Sequence, residues 1–173
     1  YQNIAIGQCA GGCQTGGGGN IALGQNANRC NSSGSYNISI GRGAQQDSSG
    51  QEYSISIGSY ANRRGTGNHN IAIGQCAGAG CSGATVSGKY NITIGRYSGM
   101  CRTTGCDNIL IGRCAGLKVC THNGVIAIGR EAGKGMETAQ DNTILGTCSG
   151  YNLNNGTCNV YVGKSAGFCN VSG

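Results

Sequence analysis

The sequence predicts an all-β fold, a parallel β-solenoid (β-roll) of ten 17-residue coils, and three observations lead there. A glycine recurs along the whole 173-residue chain, at Gly7, Gly24, Gly41, Gly58, Gly74, Gly95, Gly112, Gly129, Gly146 and Gly163; every step is 17 except one of 16 and one of 21. Just before each of these glycines, β-branched residues alternate with other residues, the period-2 pattern of a strand with two different faces. Glycine fills 35 positions, proline and tryptophan are absent, and aromatics amount to 5%. Such a chain cannot build an ordinary core from large aromatic side chains, and suits a thin stacked coil. Collagen is excluded because it needs proline and a Gly-X-Y period. Disorder is disfavoured by the low charged fraction, 10%, and the many isoleucines.

Each coil is read from its strand. Three residues before the glycine stand Ile4, Ile21, Ile38, Ile55, Ile71, Ile92, Ile109, Ile126, Thr143 and Val160. One residue before it stand Ile6, Leu23, Ile40, Ile57, Ile73, Ile94, Ile111, Ile128, Leu145 and Val162. These two columns are expected to point inward as the core ladder, with the residues between them, such as Ala5, Ser39 and Thr93, outward. Three residues after the glycine every coil has Ala or Ser, from Ala10 to Ala166, a confined position. Four before it, Asn3, Asn20, Asn37, Asn70, Asn91, Asn108, Asn142 and Asn159 predict a ladder of side-chain amides bonded along the axis. A second glycine column, Gly17 to Gly173, suits tight corners. One coil buries too little to be stable, whereas ten in register bury a continuous row.

The repeat fills residues 1–173 as a single domain, expected to be uncapped at both ends. From Gly163 to Gly173 is ten residues, and a following Tyr1 reaches Gly7 in seven more, so a second copy continues the 17-residue register. The expected partner is therefore the chain itself, in a head-to-tail homopolymer.

The strings NIAIGQCAG (from Asn3), NITIGRYSG (from Asn91) and DNILIGRCAG (from Asp107) resemble the N-x-A-I-G-x-x-A-G repeats of two families. These are the heads of YadA-like trimeric autotransporter adhesins and the β-solenoid shafts of phage tail fibres. The resemblance spans all ten repeats and implies a parallel β-roll on an extracellular fibre. The cysteines depart from both families.

Twelve cysteines in a short chain point to an oxidising, extracellular setting. They fall in two main columns, two residues after the repeat glycine (Cys9, Cys76, Cys114, Cys148) and six after it (Cys13, Cys30, Cys101, Cys169). Coil-to-coil pairing would join Cys9 to Cys30, Cys76 to Cys101 and Cys148 to Cys169. Pairing within a coil would join Cys9 to Cys13, Cys76 to Cys81, Cys101 to Cys106 and Cys114 to Cys120. The spacing is compatible with both. Cys-x-x-Cys is absent and the histidines are only His69 and His122, so no metal and no other cofactor is expected.

Six scattered acids and two loop histidines give no pattern for catalysis, and no enzymatic activity is expected. The net charge of +6 includes Arg96, Arg113 and Arg130 on consecutive coils, a candidate ladder for an acidic polysaccharide. Interleaved aromatics are missing, so no nucleic-acid partner is expected, and no apolar run is long enough for membrane insertion. Asn31, Asn155 and Asn170 head loop sequons for N-glycosylation. The composition and repeat favour a structural subunit of an extracellular filament. The alternative is an adhesin or phage receptor-binding fibre segment that binds surface glycans.

Overall fold

The computed structural model describes residues 2–81 and 83–172; the expected join of Gly173 to Tyr1 lies outside them. Ten three-residue strands form one parallel sheet in chain order: β1 (Ile4–Ile6), β2 (Ile21–Leu23), β3 (Ile38–Ile40), β4 (Ile55–Ile57), β5 (Ile71–Ile73), β6 (Ile92–Ile94), β7 (Ile109–Ile111), β8 (Ile126–Ile128), β9 (Thr143–Leu145) and β10 (Val160–Val162). The chain is a β-solenoid in which each strand meets only the strands above and below it. Register never slips. Ile55 pairs with Ile71 and Ile71 with Ile92, across both the deletion and the insertion. The extra residues are taken up near 80–86, where the Ala84 N–H closes onto the Cys81 carbonyl at 2.8 Å and Val86 bridges to Gly65.

The strands are short because glycine ends them. At Gly24 the backbone has φ +125°, and a side chain there would meet the Gly41 carbonyl carbon at 2.8 Å. Only glycine allows consecutive coils to approach so closely. Two residues later the chain turns through the left-handed region, as at Asn26 (φ 56°), Tyr60 (57°) and Cys114 (59°). Between coils, the corner backbone is bonded along the axis, for example Gly11 N–H to the Ala27 carbonyl and Asn28 N–H to the Ala44 carbonyl, both at 2.9 Å.

The strand faces are the reverse of those expected. Ala22, Ser39, Ser56, Ala72, Thr93, Leu110, Ala127 and Ile144, the middle residues of β2 to β9, are the buried ones. The expected core ladder lies on the outer face: Ile4, Ile6, Ile21, Leu23, Ile38, Ile40, Ile55, Ile57, Ile71, Ile73, Ile92, Ile94, Ile109, Ile111, Ile126, Ile128, Leu145, Val160 and Val162 are half-buried or exposed. Alternation distinguishes two faces without saying which is inside. Geometry decides it, because a coil this tight has room for one strand side chain per rung. The Ala/Ser column and the residue after it come across from the opposite corner and fill the rest.

The asparagine column forms an axial ladder. Asn37 donates its backbone N–H and its Nδ2 to Asn20 Oδ1 at 2.9 and 3.1 Å, and Asn91 repeats this on Asn70, Asn108 on Asn91, and Asn159 on Asn142. Nδ2 also reaches a corner carbonyl, as from Asn20 to Gly34 at 2.8 Å. Each of these buried amides is thus satisfied by the rungs on either side of it, its oxygen by the next asparagine and its Nδ2 by the preceding asparagine and the next coil's corner. Ser54 and Val125 stand where the column lacks asparagine; their N–H groups still donate to Asn37 and Asn108.

Candidate functional site

The interior is filled by side chains, so a partner would meet the outer faces. On the sheet face, the two columns flanking the buried middle residue make a flat apolar stripe. Ten rungs at strand spacing give it a length of about 45 Å. Its side chains range from half-buried in the middle of the stack to 64% exposed at Ile6 and 70% at Val160.

A second feature runs along one corner. Tyr36, Tyr53, His69 and Tyr90 occupy the same place in four successive coils, five residues before the strand glycine. All four have positive φ (58°, 53°, 60° and 57°). Their rings stack in one column with centroids 5.2, 5.2 and 5.1 Å apart. Left-handed backbone is costly for a ring-bearing residue, and stacking offsets part of that cost at about 0.5–1.5 kcal/mol per pair. His69 shares this column with the three tyrosines because it too stands five residues before its strand glycine, Gly74, a spacing that can be read from the sequence. Tyr151 and Phe168 stack similarly on another edge at 5.0 Å.

The arginine ladder is divided by its neighbours. All three arginines are exposed, but Arg96 lies over the Tyr97 ring at 4.6 Å and Arg113 pairs with Glu131 at 3.3 Å. Among the sequons, Asn31 is wholly buried, which bars a glycan there in the folded chain. Asn155 is exposed and accepts a hydrogen bond from Thr138 at 2.8 Å; Asn170 is half-buried and donates to the Tyr161 hydroxyl at 2.6 Å.

The cysteines are arranged differently from both pairing schemes. Cys101 is bridged to Cys81, the residue stacked against it in the coil below, rather than to Cys76 or Cys106. Cys9, Cys30, Cys76, Cys114, Cys120, Cys148 and Cys169 are free thiols. Cys76, Cys114 and Cys148 share the left-handed corner column but alternate with Tyr97 and Glu131, so they sit two rungs apart, about 10 Å and beyond disulfide reach. Cys148 instead approaches Glu131 at 3.9 Å. Burial raises the Cys76 and Cys120 thiols above their ordinary pKa.

Two ionisable groups are enclosed in the coil. Arg102 is 1% exposed, its Nε and Nη1 have no protein partner, and burial pushes its pKa down to about 10. His122 is equally buried, and burial lowers its pKa. Among the described residues, no three His, Cys, Asp or Glu side chains gather in a metal-binding group. No family model, no curated protein and no solved structure matches the chain.

Proposed function

We propose that this chain is a structural segment of an extracellular protein filament whose axis is the solenoid axis. The observation that carries the reading is the invariance of the stack: all ten strands keep one register, so every rung offers the next the same hydrogen-bonding edge and the same side-chain columns. A coil from another copy would make the contacts that neighbouring coils make within the chain, and such a heterologous contact propagates without closing. The outer isoleucine stripe supports a lateral contact as well, with copies covering one another's apolar rows. The bridge between Cys81 and Cys101 suits an oxidising compartment.

Electron microscopy of the purified chain over a range of concentrations tests this. Filaments with an axial repeat of about 4.8 Å along the fibre are expected. Replacing Ile71 and Ile73 with Glu should remove side-by-side bundling and leave single filaments. Dispersed monomers at every concentration would overturn the proposal.

A further inference from the structure

Within this stack, one pair of free thiols is placed where a coil-to-coil bridge would form. Cys13 and Cys30 both stand six residues after their strand glycine, in adjacent coils. Their Sγ atoms are 3.5 Å apart. The backbone on either side holds them in register: Gly11 N–H donates to the Ala27 carbonyl at 2.9 Å and Thr15 N–H to the Ser32 carbonyl at 3.0 Å. Cys101 occupies the same place six residues after its own glycine, and it is bridged to the coil below. Cys9, by contrast, stands beside Asn26, whose N–H bonds to the Gln8 carbonyl at 2.9 Å. It faces a different residue from Cys30.

We propose that Cys13 and Cys30 are an oxidation site, joined as a second disulfide between the first and second coils by exchange with a small-molecule disulfide. Cys13 is exposed and Cys30 half-buried, so the reagent meets Cys13 first. The Cys13 thiolate attacks one sulfur of the reagent, forming a mixed disulfide and releasing one small thiolate. The Cys30 thiolate then attacks Cys13 Sγ, the protein S–S bond forms, and the second small thiolate leaves. The protein loses two electrons and two protons; the reagent takes both and becomes two thiols. Burial and the hydrogen bond with Cys13 raise the Cys30 thiol above its ordinary pKa, which keeps Cys30 out of the first step; its place in the second is set by the 3.5 Å separation of the sulfurs. The sulfurs must close by about 1.5 Å to reach bonding distance, a side-chain rotation on a fixed backbone.

Non-reducing peptide mapping of the full chain, after treatment with oxidised glutathione and alkylation of remaining thiols, tests the assignment. Trypsin cuts after Arg29 and so separates the two cysteines. The expected product joins residues 1–29 to 30–42 and is two hydrogens lighter than the two peptides together. It should persist in Cys9→Ser, disappear in Cys13→Ser, and arise within one chain on a non-reducing gel. A link that vanishes in Cys9→Ser but survives in Cys13→Ser would overturn the proposal. So would a Cys30 recovered in alkylated form from chains whose Cys81–Cys101 bridge is intact, or a link formed only between two chains.

Discussion

The two halves of the solenoid have the same backbone and opposite interiors. In coils two to four the small strand residues Ala22, Ser39 and Ser56 face Asn28, Gln45 and Asn62, which reach in from the opposite corner, and all six are buried. Across the third coil Ser39 donates to Gln45 Oε1 at 2.6 Å, Gln45 to Gln51 Oε1 at 2.6 Å, and Gln51 to the Gly67 carbonyl at 2.7 Å. In the later coils that corner position is glycine, and the strand or the next corner supplies the bulk. Leu110, Val119, Val125, Met136, Ile144 and Leu153 form one apolar cluster there. A side chain added at Gly116 would meet Leu110 at 2.7 Å. The cross-section is constant, so what matters is the summed volume of the inward columns, and either amides or aliphatics can fill it. Arg102 stands where the two regimes meet. Its Nε and Nη1 have no protein partner, and the aliphatic rungs above it offer none.

The largest difference between the halves should appear on truncation. Leu110→Ala removes a fully buried side chain over Gly116 and is expected to cost about 2–5 kcal/mol, read by denaturant unfolding. A loss below about 0.5 kcal/mol would mean the apolar interior collapses freely and is not packed as described. At the boundary, Arg102→Met matches Met136 in the same column of a later coil. It should raise stability by about 1–4 kcal/mol, because an unpaired buried charge is replaced by an aliphatic. A lower melting midpoint in Arg102→Met would show that the guanidinium has a partner that matters. In the polar half, Gln45→Ala leaves the Ser39 hydroxyl and Gln51 Oε1 without partners and should cost about 1–3 kcal/mol. If Gln45→Ala is instead neutral, the amide chain is not what holds the third coil.

The smallest effect is expected from pH. His122 has its pKa lowered by burial, so between the folded and unfolded values the unfolded chain binds the extra proton. Stability therefore falls as pH drops below the ordinary histidine range, about 6.5, and levels off below the folded value. His122→Asn should flatten the chain's melting midpoint over that window. An unchanged slope in the variant would assign the acid sensitivity to other groups.

The strand positions were fully legible in the sequence, because the 17-residue spacing and the glycine that ends each strand leave no other alignment. The facing was not. Uniform isoleucine at two columns looked like a core, yet uniformity is what an outer face of repeated rungs shows. The middle column varies from Ala5 through Leu110 to Tyr161, and that variation carried the signal. In six coils it is compensated four residues after the glycine, where Asn28, Gln45 and Asn62 stand with small strand residues and Gly116, Gly150 and Gly167 with large ones; the Ala72 and Ala127 coils carry glycine there, and in the Ala127 coil Met136 supplies the bulk. The sequon at Asn31 misled for a related reason, since a tripeptide pattern carries no information about burial. Cysteine pairing was illegible because it depends on which corners stack, and the insertion before Gly95 shifts Cys81 into line with Cys101.

The inside-out assignment of the strand is tested most directly by substituting two adjacent residues in a central coil. Ala72 is 1% exposed and Ile73 half-buried on the outer face. Ala72→Glu puts an unpaired carboxylate inside the coil and should abolish cooperative folding. Ile73→Glu should retain the β-sheet circular dichroism and a cooperative melt, at a cost of no more than about 1–2 kcal/mol. The reverse outcome, with Ile73→Glu unfolded and Ala72→Glu melting like the parent chain, would contradict the account.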